Sequence, residues 1–529
     1  MSEESAAERL RFAAIVATAF LILTVPRLLL HELWRDEAWQ WLVVIESHSV
    51  RDLFSGMAGG GGTGYLFPLL VFLIRQVWTS PRAMQLANAV MAGAAAFVFA
   101  RWAPLQRRER ALFVFGYFPF YEYTVISRNY ATGALFLWLV CAAVRSRRRA
   151  LVLGAALGLL CQTTVYGYIL AIAVACGWLL DRWINRHEIA PLPWAEVAGG
   201  LTLAVAGAVA GLVQFTPLPG TIEPPWRFAW DPAHAARVLM IPWRAFVPLP
   251  RPMLHFWNSN LLDAWPGAQT IAGLLTILLA AAFLRRRKVA LATFGVGAAG
   301  LLAFSYVKYF GVLRHHGHWW LLFAAALWLG DGSGFQEDRR SWRARAFLIL
   351  LIVHCVAGVY ASWMDLLHPF SNGAATAELI RAEGLDRHPL LGHREPPAAT
   401  VALFLGRPLY FPSRKVFTTH PDWGPEQREL SPQEVRCAAR ELARREARDI
   451  VLVMNWELPP WGELDAAGSR LGAIEATEDY HLYWLRYGRL DETAQAAHCA
   501  SEGEGGHIGP PLRRPTVPVP SAARRPPPA

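Results

Sequence analysis

Charge is scarce in this sequence, and that shortage limits the class of protein first. Asp, Glu, Lys and Arg make up only 17% of the 529 residues, against 54% hydrophobic, whereas a soluble domain keeps about 25–35% of its surface charged. The apolar residues also lack the helical striping of a soluble core and come instead in long unbroken runs. Cysteine is sparse: six in all, of which Cys141, Cys161, Cys176 and Cys355 fall inside apolar runs as packing residues. A disulfide-stapled scaffold is therefore excluded, and Cys437 with Cys499, in the polar C-terminal part, form the one candidate pair for an oxidising compartment. No internal repeat is visible. The single GxGxxG match, Gly59 to Gly64, follows no hydrophobic strand and reads as a mobile loop, not a dinucleotide site.

What the sequence does have is the pattern of a polytopic α-helical membrane protein with about 11–13 transmembrane helices. Its first apolar run, Phe12 to Leu30, shows no small-residue cleavage site before His31-Glu32 and reads as a retained signal anchor. The formal charge of +10 does not point to nucleic acid, because the basic residues gather between apolar runs, at Arg107 to Arg110, Arg145 to Arg149, Arg285 to Lys288 and Arg339 to Arg345. Such clusters mark cytoplasmic loops. They leave 31–64, 217–265, 307–318 and everything beyond 363 on the outer side. Between 65 and 110 the same rule favours one full crossing plus one re-entrant or interfacial segment, and a further span is expected over Ala111–Val125. The membrane part covers 1–362. From 363 to 500 shorter apolar stretches read as a small α/β extracytoplasmic domain, with helices over Ala374–Glu383 and Pro432–Arg445, a helix or strand over Thr400–Leu405, and strands over Ile450–Met454 and Tyr480–Leu485. Residues 501–529, rich in Pro and Arg, read as a disordered tail.

Three constellations at the outer face carry candidate chemistry. Directly after the first span, Trp34-Arg35-Asp36-Glu37-Ala38-Trp39 reads either as an interfacial helix with water-facing acids or as a catalytic carboxylate fixed at the membrane surface, where Asp36 suits a general base or a divalent-metal ligand. In the second, Glu122 lies in an apolar run and needs a partner. Arg128, in the turn Ser127-Arg128-Asn129-Tyr130, is the candidate, as a structural ion pair or around a substrate. The third is the loop from Lys308 to His318, whose Lys308, Arg314 and His315 suit a lipid phosphate or simple snorkelling to headgroups. A three-histidine zinc site fits it poorly, since His315 and His316 point apart on a helix. The Trp-rich loop 217–265 reads as an interfacial lid.

The acidic cluster after the first span, the start Tyr65-x-x-Pro68-Leu69, and Glu122-Tyr123 followed by Arg128 and Tyr130 occur in an order that resembles the GT-C glycosyltransferases, the superfamily of aminoarabinose and protein O-mannosyl transferases. That resemblance implies a membrane enzyme at the outer face of the cytoplasmic membrane that moves a sugar from a polyprenyl-phosphate donor to a glycan, lipid or protein acceptor. It assigns Asp36 as base or metal ligand, with Glu37 and Glu122 as further catalytic acids. Arg128, Lys308, Arg314 and His315 would hold the donor phosphate, and Tyr65 and Tyr130 would line the substrate pocket. The classes left open beside it are a lipid or solute transporter, which calls for repeat symmetry and broken mid-membrane helices, and a noncatalytic membrane scaffold.

Overall fold

The computed structural model describes residues 4–58, 62–144, 149–187, 192–217, 219–330 and 341–490. Cys499, the tail from 501, residues 59–61 of the glycine loop, and residues 145–148 and 339–340 of the basic clusters lie outside the described residues. Among the described residues, seven helices are long and apolar enough to cross a membrane: Ala6–Leu30 (α1), Arg82–Trp102, Val165–Ile184, Trp194–Phe215, Pro266–Leu284, Lys288–Val307 and Trp342–Leu367. Shorter apolar helices, Leu66–Arg75, Tyr130–Ala143 and Ala150–Leu160, pack among them, and the helix His318–Leu329 is buried from His318 to Trp328.

Between 65 and 110 the chain forms one short helix of 10 residues and one long helix of 21. At a rise of 1.5 Å per residue the first reaches only about 15 Å, half of a bilayer's apolar thickness. The span expected over Ala111–Val125 is not continuous. A helix over Arg107–Val114 gives way to a π-helical turn, Phe118–Glu122. Pro119 in that turn cannot donate to the helical ladder, and the wider turn leaves Glu122 at its end.

The helices Ala150–Leu160 and Trp194–Phe215 pack closely along their lengths. Their contact is lined by glycine: a Cβ built on Gly154 would stand 1.9 Å from the Gly200 carbonyl oxygen, and one on Gly207 would stand 2.3 Å from the Gly158 Cα. Lipid provides no hydrophobic drive for helices to associate, so such backbone-to-backbone packing substitutes for it.

The C-terminal part is a six-stranded sheet ordered β3-β2-β1-β4-β6-β5. The strands are Leu390–His393 (β1), Leu409–Phe411 (β2), Val416–Thr418 (β3), Ile450–Met454 (β4), Leu464–Arg470 (β5) and Tyr480–Leu485 (β6). β1 runs parallel to β2 and β4, and the other pairings are antiparallel. The unbroken apolar run of β4 follows from burial on both faces. Val451 and Val453 meet the helices Gly373–Ala382 and Glu395–Leu405, while Ile450, Leu452 and Met454 meet Pro432–Glu446. The sheet domain docks through Glu395–Leu405 on the helix Arg35–Glu46 (α2), with Leu403 and Phe404 packed against the cluster that holds Trp39 and Trp41.

Glycine packing between the two helices makes a specific expectation. Gly154→Ala lowers the thermal midpoint in detergent, by an overpacking cost of about 1–3 kcal/mol, whereas Gly295→Ala, whose Cβ meets nothing within 4 Å, leaves it unchanged or raised. Equal midpoints for the two variants would refute the close approach.

Candidate active site at the head of the second helix

α1 ends at Leu30, and the chain turns through His31 to Trp34 before α2 begins at Arg35. The corner is locked by buried charges. His31 Nδ1 lies 3.1 Å from both carboxylate oxygens of Asp365, and its Nε2 lies 3.3 Å from Glu37 Oε2. The other Glu37 oxygen accepts the Ser127 N–H at 2.5 Å. Burial works against the charge on His31, but Asp365 and Glu37 outweigh it and raise the imidazole well above its ordinary range. Glu37, fully buried, thus ties α2 to the turn that carries Arg128.

One residue earlier, Asp36 points into a cluster of cations. Arg314 Nη2 donates to Asp36 Oδ2 at 3.0 Å, Arg128 Nη1 lies 3.5 Å from the same oxygen, and Arg35 Nε lies 3.9 Å from Oδ1. Arg128 also donates to the Asp36 backbone carbonyl at 2.7 Å, which fixes its guanidinium to the helix head. Burial pushes the Asp36 carboxyl up, but Arg128, Arg314 and Arg35 together hold it below the ordinary aspartate range. The side chain keeps 22% of its surface exposed, against 9% for Arg128 and 12% for Arg314, so the cluster has an opening on the carboxylate side. The Arg314 guanidinium stands over two indoles, 5.1 Å from the Trp34 ring and 5.4 Å from that of Trp257. A cation held this way keeps its hydrogen-bonding edge free to face a ligand.

A second layer sets the position of Arg314. Tyr123 Oη donates to the Arg314 carbonyl at 2.8 Å, and its ring stacks on Tyr130. Gly317 permits that contact, since a Cβ there would stand 2.3 Å from Tyr123 Oη. His315 Nδ1 accepts the Val312 N–H at 3.0 Å, so the neutral ring carries its proton on Nε2 and donates it to Tyr130 Oη at 3.0 Å. Burial, helped by the Arg314 charge, pushes this imidazole well below its ordinary range. Several buried polar atoms around the cluster have no hydrogen-bond partner among the described residues: Arg128 Nε, Ser127 Oγ, Trp34 Nε1 and Tyr166 Oη.

The structure therefore gathers Asp36, Arg128, Arg314, His315 and Tyr130, and separates the others. Glu122 is not paired with Arg128. It accepts from Tyr117 Oη at 2.8 Å and from Trp257 Nε1 at 3.1 Å, and so bonds to the indole that supports Arg314. Lys308 is held by Glu223 at 2.6 Å, over the Trp226 ring. Tyr65 packs against Phe54 and bonds through its N–H to Gln214. Neither touches the arginine cluster. A metal does not suit Asp36: its charged neighbours are guanidinium groups, a hard divalent cation needs several oxygen ligands, and no group of three or more His, Cys, Asp or Glu able to hold one occurs among the described residues.

Solved structures similar to this chain include two crystal structures of ArnT from Cupriavidus metallidurans. One, bound to undecaprenyl phosphate, has 12% sequence identity and a TM-score of 0.50, with 89% of this chain and 97% of that one covered. The fold is ArnT-like. The apo form of the same protein gives 12% identity and a TM-score of 0.48 over 88% of this chain and 97% of that one. No family model and no curated protein sequence matches the chain. Within the ArnT-like frame, His31 and Trp257 border the cluster although the sequence pattern did not single them out, and Ser127 and Tyr123, present in the quoted motifs, carried no role there. Trp257 is one of 23 tryptophans, and nothing in its neighbourhood along the chain distinguishes it from an interfacial anchor.

The charged corner has a pH signature. A histidine with a raised value contributes stability that is fully present below its ordinary value near 6.5 and is lost as the pH climbs through the raised one. The wild-type thermal midpoint should accordingly fall as the pH rises above the ordinary histidine value near 6.5. His31→Gln, which leaves Asp365 and Glu37 without their cation at a cost of about 3–5 kcal/mol, starts lower and loses that slope. Parallel curves for the two proteins would contradict the assignment.

Proposed function

We propose that this protein is a membrane glycosyltransferase that moves a hexosyl or pentosyl group from a polyprenyl-phosphate donor to an acceptor at the outer face of the cytoplasmic membrane. The sheet domain then lies on the extracytoplasmic side. The observation that carries the reading is one partly open carboxylate shared among three guanidinium groups, on an ArnT-like fold. One solved structure of that fold is of ArnT bound to undecaprenyl phosphate, and a lipid phosphate here would meet the donors it needs.

In this reading Arg314 and Arg128 take the donor phosphate by charge-assisted hydrogen bonds, for which a guanidinium is well shaped. Arg128 Nε and Ser127 Oγ, otherwise unpartnered, add donors. The acceptor hydroxyl or amine attacks the anomeric carbon, the bond from that carbon to the phosphate oxygen breaks, and the electron pair leaves with the phosphate. Asp36 takes the acceptor's proton. A single displacement inverts the anomeric centre, and a leaving group already stable as an anion needs no acid catalyst.

The pairing of Asp36 with the arginines gives the base its timing. While it is held at 3.0 Å by Arg314 the carboxylate is a poor proton acceptor. A phosphate that draws the guanidinium groups onto itself removes that restraint, so the base strengthens as the donor binds. Glu37 and Glu122 serve in this reading as braces, the first for α2 and Ser127, the second for Trp257. The neutral His315 holds Tyr130 and carries no charge for the phosphate.

Purified protein in nanodiscs with a radiolabelled polyprenyl-phosphate sugar tests the reading. Asp36→Asn should lower turnover by roughly 100- to 10,000-fold, the usual weight of a general base, with donor binding retained, while Arg314→Ala should lose donor binding. Full-rate transfer by Asp36→Asn would rule it out as the base, and transport of an intact solute without transfer would favour a transporter.

A further inference from the structure

The first turn of α2 is closed only in part by its own sequence, Glu37 Oε2 accepting the Trp34 N–H at 3.4 Å. Trp34 occupies the cap position and has no side-chain acceptor to offer, although the leading N–H groups of a helix need one. The Glu37 and Ala38 amides turn back to the Trp34 carbonyl at 2.9 Å. The Arg35 amide bonds to a residue 443 positions away: it donates to Glu478 Oε1 at 3.0 Å. Arg35 Nη1 donates in parallel to Thr477 Oγ1 at 2.9 Å. Both acceptors belong to the sheet domain, in the 3-10 turn Ala476–Glu478 just before β6.

Glu478 is fully buried and is itself held on its second oxygen, which accepts from Ser371 Oγ at 2.9 Å and meets Tyr480 Oη at 2.7 Å. Tyr480 Oη also lies 2.7 Å from the Pro397 carbonyl, in the helix Glu395–Leu405 that packs on α2. A phenol has one proton for these two acceptors. With Glu478 ionised, Tyr480 donates to the carboxylate. With Glu478 protonated, the acid donates to Tyr480, which donates to Pro397.

We infer that Glu478 is a positioning residue for Asp36: the sheet domain supplies the carboxylate that closes the head of α2, and it thereby sets where Asp36 stands among Arg35, Arg128 and Arg314. The inference rests on the proposed role of Asp36 for its catalytic meaning, but the placement of α2 is measurable without catalysis. An anion at a helix N-terminus also stabilises the helix, and that contribution goes when the anion is neutralised. The groups facing Glu478 are Arg35 from α2, Tyr480 from β6 and the Ser371 hydroxyl, with Glu475 reached through Thr477 and Glu32 through the Phe370 amide. Burial raises the Glu478 carboxyl to about 7, with Arg35 and the two hydroxyls opposing it. Its charge therefore changes near neutrality, in the range where an extracytoplasmic face meets changing pH.

Hydrogen exchange on the full chain in nanodiscs, with intrinsic rates corrected for pH, tests this. In wild type, protection of the amides over residues 33–42 should change as the pH passes about 7, where Glu478 gains or loses its charge. Glu478→Gln should remove that dependence, and Glu478→Ala should speed exchange there about tenfold while β4 and β6 keep their protection. Unchanged exchange over 33–42 in Glu478→Ala, or an unaltered pH dependence in Glu478→Gln, overturns the inference. If Glu478→Ala opens the sheet domain as a whole, the pH dependence of Glu478→Gln decides. In the transfer assay Glu478→Gln should lower kcat and leave the donor KM unchanged. Expected exchange with full transfer by Asp36→Asn would leave the positioning of α2 standing and overturn only the role of the base.

Discussion

A carboxylate shared among three guanidinium groups is the constraint on which the rest of the structure depends. Three cations around one anion leave an excess of positive charge, and most of it is buried where desolvation is costly. Nothing in the apolar part of the protein gains from that arrangement. It persists because each member is fixed from behind: Arg128 by the Asp36 carbonyl, Arg314 by two indoles and the Tyr123 hydroxyl at its carbonyl, and α2 by Glu37 on one side and Glu478 on the other. Residual positive charge facing an opening is what an anionic ligand would neutralise.

The supports come from all parts of the chain. His31 and Asp365 join the ends of α1 and Trp342–Leu367, Ser127 follows the π-helical turn, and Glu478 arrives from the sheet domain. The docking of that domain is therefore not a separate matter from the site. Loosening it would move the head of α2, and Asp36 with it.

Much of the fold was legible along the chain. Long apolar runs form the helices able to cross a membrane. The stretches 374–383, 432–445, 450–454 and 480–485 formed the elements their patterns imply, because each pairs a strong local pattern with burial in the same sense. The continuous span over Ala111–Val125 was misleading because hydropathy does not register a π turn. In the site, Asp36, Arg128 and Arg314 were identifiable as charged residues in short polar segments next to apolar runs. Their pairing was not: Arg128 is close to Glu122 in sequence yet bonds to Asp36, since the turn after Glu122 carries Arg128 toward α2. Lys308 has the same charge as Arg314 but meets Glu223 first. The contact of Glu478 with Arg35 spans most of the chain, and no local pattern marks it.

The sharpest test is the competition between Asp36 and a lipid phosphate for the same guanidinium groups. Equilibrium binding of radiolabelled polyprenyl phosphate, with polyprenol as the uncharged control, should be measured in nanodiscs for wild type, Asp36→Asn, Arg128→Gln and Arg314→Gln. Shared arginines predict that both arginine variants lose the phosphate-dependent part of binding and that Asp36→Asn, which frees the arginines, binds as well as or more tightly than wild type. Unchanged binding by the arginine variants, or loss of binding in Asp36→Asn, would contradict the account.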